Sequence, residues 1–424
     1  MAILLSPSSF DWRALNLHRL RDLAIEHALI EDENVEAYGE LIPDLFPLYR
    51  DGGRAISLFG GCGLDEDEGF LEDGTVTLYA DLYSSAGSLW AEWELTDIAV
   101  SASSILDVST TQTSYDDRQL FQSVLSSDDY FGLSNGKDFV YGFGGADWIE
   151  GYDGNDRLFG GVGRDVVNGG DGKDRISGGD GRDHVHGGTG RDRLILDEGN
   201  DRMNGGEGSD WLVVNGKTAA RVDLASEEAQ HTGYGRDTII DIENVIGSRR
   251  GDRIFGTEEA NRLEGEEGYD KLWGRDGRDW LYGGDGNDRL SGGSGDDHLF
   301  GGSGADILIG GQGRDSLHGG RDKDRDTFVF RSADESRAGA DRDDLREFCS
   351  SEDVIHLGGI DADTSQEGNQ SFALSDDGRA ANAVWLLEKN DGILLRADVN
   401  GNARADFEIL IRGVNALDEG ALIL

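Results

Sequence analysis

Three prolines and two cysteines in 424 residues exclude two architectures from the start. So little proline rules out collagen-like and proline-rich linker sequences. Cys62 and Cys349 lie far apart in the chain, give no disulfide framework and read as free thiols. No apolar run approaches the roughly 20 residues that cross a bilayer, so no transmembrane segment is expected and a pore-forming toxin is excluded. Residues 1–13 lack the basic stretch and apolar run of a cleaved signal peptide. Positive charge is scarce too: 39 Lys and Arg stand against 85 Asp and Glu, for a formal net charge of −46. Nucleic acid is therefore no partner, because phosphate binding needs basic stripes. A chain this acidic repels itself when compact, and divalent cations are the fitting counter-charge.

Glycine, by contrast, is abundant at 65 residues, and from residue 133 it recurs every nine residues. Units begin at Leu133, Gly142, Gly151, Gly160, Gly169, Gly178, Gly187, Leu196 and Gly205, reading Gly-Gly-x-Gly-x-Asp-x-apolar-x; residues 160–168 and 169–177 show the pattern in full. A non-repeating insertion, 214–246, carries strand-like runs at 221–224 and 237–246 that are expected to continue the stack. A second block opens with altered units at Gly247 and Gly256 and is regular from Gly265 through Gly274, Gly283, Gly292, Gly301 and Gly310. The stretch 319–326 carries extra residues and is expected to depart from the geometry of the other turns.

Glycine tolerates positive φ, so the first six residues of a unit form a sharp turn, and the x-apolar-x triplet forms a short strand. Two units make one coil. The apolar eighth position, Val167, Ile176, Val185 and Leu194 and then Leu272, Leu281, Leu290, Leu299, Leu308 and Leu317, is expected to point into a thin core between two parallel sheets. One aliphatic side chain per nine residues does not offset the ordering of nine residues of backbone. The sixth-position carboxylates would line up along the turns and repel. Calcium, which takes six to eight oxygen ligands from carboxylates and carbonyls in flexible geometry, fits this gap; magnesium, small and strictly octahedral, fits it less well. A metal-free solenoid or a flexible linker needs no aspartate and apolar residue in phase.

This unit resembles the RTX, or haemolysin-type, calcium-binding nonapeptides of proteins exported by bacterial type I secretion, over residues 133–330. The resemblance implies a parallel β-roll with calcium held between a turn and the turn two units later. Carried over, one site uses Gly161, Gly163 and Asp165 with Gly178, Asp180 and Asp183, and another uses Gly284, Gly286 and Asp288 with Gly301, Ser303 and Asp306. The same reasoning adds Gly170, Gly172, Asp174, Gly187, Thr189 and Asp192 in the first block, and Gly293, Gly295, Asp297, Gly310, Gln312 and Asp315 in the second. Sixth-position Asp147, Asp156, Asp201, Asp210, Asp270 and Asp279 complete the implied ligands. Departures from the unit, Leu-Ser at 133–134, Leu-Asp at 196–197, Arg250 at a fourth position and Asn261 at a sixth, are expected to weaken the sites they touch.

The C-terminal region resembles that of serralysin-type metalloproteases through residues 326–330, 353–357 and 398–407, and its end, 417–424, resembles their uncleaved export signal. Asp398, Asn400, Asn402 and Asp406 read as a polar turn rather than a further calcium loop, lacking the glycine and terminal Glu of an EF-hand. Residues 11–31 read as an amphipathic helix with Ser8 and Asp11 as a capping box, residues 120–125 as a short helix, and Val76, Leu78, Ala80, Trp93, Leu95, Ile98 and Val100 as strand positions. The expected fold is mainly β: a small mixed α/β N-terminal domain at 1–132, β-roll blocks at 133–213 and 247–326 around the 214–246 insertion, and a β-rich, serralysin-like C-terminal domain at 327–424.

No His-Glu-x-x-His, Gly-x-Ser-x-Gly or phosphate-loop motif occurs, and His184 and His186 read as solvated neighbours of Val185. The expected function is a secreted, non-enzymatic calcium-binding protein that folds on calcium outside the cell, with an adhesion, surface or matrix role. Its expected partners are calcium, a type I secretion apparatus and a cell-surface or matrix polysaccharide. The alternative is a calcium-dependent extracellular enzyme acting on polysaccharide through the N-terminal domain.

Overall fold

A computed structural model describes residues 128–424, apart from 134, 376, 377 and 419, and the backbone of four strand segments nearer the N-terminus. Of these four, Val76–Ser84 and Gly87–Leu95 form an antiparallel hairpin, flanked by Ser57–Leu58 and Ala2–Ile3. The helices expected at 11–31 and 120–125, and positions 98 and 100, lie outside the described residues. Every regular element among the described residues is a strand, and none of them contains a helix long and apolar enough to cross a membrane.

The chain divides into two compact units, residues 1–210 and 211–424. In the first, Phe139–Gly145, Arg157–Gly163, Arg175–Gly181 and Arg193–Leu196 make one parallel sheet. Tyr130–Gly132, Trp148–Glu150, Val166–Gly172, His184–Gly190 and Arg202–Gly208 make the other. Val166 opposite His184, and His184 opposite Arg202, fix the coil at eighteen residues, two units per turn. Leu158, Val167, Ile176, Val185, Leu194 and Met203 fill the space between the sheets and are at most 3% exposed, as the eighth-position pattern requires.

The strands are longer than the expected triplets. They run on through the glycines, with Gly161 opposite Gly179 and Gly163 opposite Gly181. Glycine allows this because the second position takes a left-handed φ, +119° at Gly161, while a side chain on Gly179 would collide with the carbonyl of Gly161.

The second unit repeats the plan. One sheet passes in parallel register from Trp211–Val214 through Asn244–Ile246, Arg262–Glu267, Trp280–Asp285, His298–Ser303, Ser316–His318 and Asp343–Arg346 to Phe407–Arg412. It then closes with the antiparallel strands Gly392–Ala397 and Ala383–Lys389. The other sheet runs from Arg221–Asp223 through Arg253–Phe255, Lys271–Asp276, Arg289–Ser294, Ile307–Gln312 and Thr327–Val329 to Val354–His356 and Leu422–Ile423.

Two features follow from this pairing. The insertion does supply strands to the stack, at Arg221–Asp223 and Asn244–Ile246. The stacking also continues past residue 327 without a break, because Phe328, Leu345 and Ile355 occupy the inward position of Leu308 and Leu317, all 0% exposed.

Candidate metal centres along the turns

Each coil turns twice, and at each turn the sixth-position aspartate ends the glycine-rich half. Its carbonyl accepts from the first strand residue one coil later, as in Val166 N to Asp147 O at 2.8 Å. Its carboxylate turns inward: Asp147, Asp156, Asp165, Asp174, Asp183 and Asp192, and Asp270, Asp279, Asp288, Asp297, Asp306 and Asp315, are at most 2% exposed.

One oxygen of each carboxylate is used the same way every time. The backbone N–H of Asp129 donates to Asp147 Oδ1, that of Asp147 to Asp165, of Asp165 to Asp183 and of Asp183 to Asp201, at 2.8–2.9 Å. A second ladder on the opposite turns runs 138, 156, 174, 192, 210. The second unit has the same pair of ladders, 252, 270, 288, 306, 326, 353 and 261, 279, 297, 315, 343.

The other oxygen is left over. Oδ2 of all twelve carboxylates, from Asp147 to Asp192 and from Asp270 to Asp315, is buried without a hydrogen-bond partner. Such an atom is costly unless something cationic or a donor faces it. What faces it is more oxygen. A Cβ built on Gly160 would sit 2.5 Å from both Asp165 Oδ2 and the carbonyl oxygen of Gly178, so these two oxygens converge on a space that only glycine at the first position leaves open. Asp174 Oδ2 and Gly187 O converge in the same way at Gly169, Asp288 and Gly301 at Gly283, and Asp297 and Gly310 at Gly292.

Among the described residues no three His, Cys, Asp or Glu side chains group as a metal cluster. The donors here are one carboxylate oxygen per turn plus main-chain carbonyls, a set of hard oxygens that suits calcium and offers nothing to a softer metal.

The remaining expected ligands fall into two groups. The carbonyls of Gly161, Gly163, Gly170 and Gly172 point at the glycines one coil on, 179, 181, 188 and 190. Gly284 and Gly293 carbonyls point likewise at Gly302 and Gly311, and Gly286 and Gly295 at Gly304 and Gly313. At the third position the side chains of Asp180, Thr189, Ser303 and Gln312 are exposed. Ser303 O and Gln312 O accept from Gly286 N and Gly295 N, each at 2.7 Å, and keep a second lone pair. Asp201 and Asp210 are the last rungs of the first unit's ladders.

Burial is the main influence on these carboxyls, and it drives them upward from the usual 3.8. Asp147, Asp156, Asp270, Asp297 and Asp306 are pushed up to about 8. Asp192 and Asp315 reach about 7, and Asp174, Asp183, Asp279 and Asp288 about 6. The backbone N–H held by Oδ1 pulls the other way in each case, and carboxylates one coil away add to the rise at several.

The altered units satisfy their own oxygens. Asp252 Oδ2 accepts from Ser248 N and its Oδ1 from Ser248 Oγ and Ala220 N. Asn261 Oδ1 accepts from Thr257 N, while its Nδ2 donates to Glu243 O at 2.8 Å. Ser248 and Thr257 stand where regular units have a left-handed glycine, and neither has positive φ. Arg275, which does take that conformation at φ 86°, donates to Gly256 O and pairs with Asp223 at 2.9 Å. At the Leu196 unit, Asp197 Oδ2 accepts from Ser177 Oγ and Gly179 N. A serine or threonine thus supplies Asp252, Asn261 and Asp197 with donors, and Arg275 supplies one to Gly256 O, while Asp279 Oδ2 in its own turn stays without a partner.

Asp129, Asp138, Asp326, Asp343 and Asp353 join the ladders although they stand outside the regular nonapeptides. Their common signal is an aspartate one or two residues before a buried apolar residue, as in Asp343 before Leu345 and Asp353 before Ile355. Asp398 is fully buried; its Oδ2 accepts from Asn382 N and Ala403 N, its Oδ1 has no hydrogen-bond partner, and Asn400 Nδ2 donates to Asp406. His184 and His186 are exposed.

No curated protein matches the chain. Among solved structures, a solution structure of the AlgE6R3 subunit from the Azotobacter vinelandii mannuronan C5-epimerase is 25% identical, covering 41% of this chain and 78% of that one, with a TM-score of 0.18. The family described as RTX calcium-binding nonapeptide repeat (4 copies) matches residues 128–158, 141–176, 150–185, 177–212, 255–290 and 291–325. These stretches skip residues 213–254, where Ser248 caps its own aspartate. Between residues 128 and 325, on either side of that gap, the chain contains an RTX-type calcium-binding nonapeptide-repeat region folded as a parallel β-roll.

Proposed function

We infer that the roll is a calcium-operated folding module of a protein that works outside the cell. One observation carries the reading: each of the twelve regular turns buries a carboxylate oxygen that has no donor, and at ten of them it faces a carbonyl of the next coil. Without a cation these oxygens oppose folding; with calcium they become ligands, and binding free energy becomes folding free energy. Asp165, Asp174, Asp288 and Asp297, with the carbonyls of Gly178, Gly187, Gly301 and Gly310, are the first ligands we assign. A chain built this way stays open where calcium is scarce and closes where it is abundant, which suits export before folding. The resemblance of the C-terminal region to that of serralysin-type proteins, and of residues 417–424 to their export signal, supports the same route.

For the whole chain two readings stand side by side: a binding or adhesion role, and a calcium-dependent enzyme acting on polysaccharide through the N-terminal domain. A calcium titration followed by circular dichroism tests the folding reading: the chelated chain gains β signal cooperatively, and equal spectra with and without calcium would sink it. Assaying the full chain and a chain lacking residues 1–132 on polysaccharides separates binding from turnover.

A further inference from the structure

The positive charge that this chain does possess is not scattered. On the outer face of one sheet of the second unit, Arg221 lies opposite Arg253, Arg253 opposite Lys271 and Lys271 opposite Arg289, on four successive parallel strands. Three of the four are exposed and Arg289 is half-buried. None of the four makes an ion pair among the described residues, although the chain carries a net charge of −46. Like charges set directly opposite on neighbouring strands are destabilising, so a row of four is a cost to the fold on its own.

Beside this row, two residues further along the same strands, Phe255 and Trp273 stack with ring centres 4.2 Å apart and planes within 2°. Arg275 covers the Phe255 side of the pair, and the strand beyond Trp273 carries only Ser291 at the matching place, which leaves the second face of the indole without a ring against it. The first unit repeats the combination: Arg157, Arg175 and Arg193 are in register, and Tyr141 and Phe159 stack alongside at 5.7 Å.

We propose that this face of the second unit binds a linear carboxylated polysaccharide, a polyuronate, with its carboxylates along the row from Arg221 to Arg289 and the C–H face of a sugar ring against Trp273. Parallel strands about 4.8 Å apart present one cation per strand, matching a polymer with one carboxylate on every sugar. A bare polyanion of phosphates would find the row but has no use for a single aromatic face beside it. The proposal rests on the calcium reading above, because only a calcium-loaded roll both forms this face and quenches the surrounding negative field.

The test uses the full chain in excess calcium and short oligogalacturonates, too short to gel with calcium, followed by titration calorimetry. A neutral oligosaccharide and a single-stranded oligonucleotide of similar length serve as comparison probes. Oligogalacturonate is expected to bind, more weakly as salt rises, and the triple variant R253Q/K271Q/R289Q to lose about tenfold or more in affinity. The exchange R253K/R289K keeps the charge and most of the binding. Because neutralisation also removes opposed like charges, the calcium-loaded triple variant is expected to melt no lower than the parent.

Equal binding by parent and triple variant, tighter binding of the oligonucleotide, or no binding by the calcium-loaded chain overturns the proposal. Should the triple variant not reach the parent spectrum, Lys271→Gln and Trp273→Ala singly carry the same test. A chain whose spectrum ignores calcium yet binds through the row would sink the folding reading alone; a calcium-responsive chain that ignores oligogalacturonate would sink only this one.

Discussion

The backbone N–H of Asp165 donates to Oδ1 of Asp183, 2.8 Å away and one coil later, while Oδ2 of Asp183 stays buried with no hydrogen-bond partner. The same carboxylate is thus a structural acceptor through one oxygen and a candidate metal ligand through the other. Substitutions should separate the two roles.

Replacing Asp288 by Ala removes the acceptor of Asp270 N, now at 2.8 Å, and a candidate calcium ligand together. The loss of the hydrogen bond alone is expected to cost about 1–3 kcal/mol, and the midpoint of a calcium titration followed by circular dichroism should move to higher calcium. Asp288→Asn keeps an acceptor oxygen and adds donors, as in Asn261, whose Oδ1 accepts from Thr257 N and whose Nδ2 donates to Glu243 O. It should weaken calcium dependence while retaining more stability in chelator than the alanine variant; equal behaviour of the two would contradict the division of labour.

The direction of the pH effect follows from the raised carboxyls. A group whose folded-state value lies above its unfolded value, near 3.9, stabilises the fold below that unfolded value and loses this contribution as pH climbs through the folded value. For the calcium-free roll that window ends at about 6 for Asp174 and Asp288 and at about 8 for Asp147 and Asp297. The chelated chain should gain β signal as pH is lowered from 8 toward 5. Protons and calcium compete for the same oxygens, so apparent calcium affinity should fall over the same interval. A chelated chain equally unfolded at both ends would count against the buried-carboxylate account.

Gly160→Ala places a methyl group between Asp165 Oδ2 and Gly178 O. Calcium-induced folding should weaken, with a loss of about 1–3 kcal/mol as for other overpacked sites. Adding Ala at exposed Thr189 of a third position should change little. Melting of both variants in saturating calcium makes the comparison.

Ser248→Gly takes the hydroxyl donor from Asp252 and allows the left-handed turn that regular units use. The variant is expected to be less stable in chelator and to bind calcium with one further site, measurable by titration calorimetry. An unchanged stoichiometry would mean that Ser248 is not what keeps this turn independent of metal.

The likeness to serralysin-type proteins lies in residues 326–424, beyond the stretches that the repeat family matches, and the helices read at 11–31 and 120–125 lie outside the described residues. The roll was far more legible, because a nine-residue period states its own turn, strand and inward position at every repeat. Less so was the reach of the stack: Asp343 and Asp353 are separated from the last regular unit by irregular loops, and only their shared step before Leu345 and Ile355 hints that they are rungs.

Amino-acid order alone determined the coil, the inward aliphatic column and the need for a cation, since phased glycine, aspartate and leucine admit one local conformation and leave one charge problem. Tertiary structure decided which oxygen of each carboxylate stays free, that Ser248 and Asn261 settle their turns without metal, and that Arg253, Lys271 and Arg289 stand in one row. The reason is physical: these relationships join residues eighteen or more positions apart, and only the stacking of coils fixes which atoms meet.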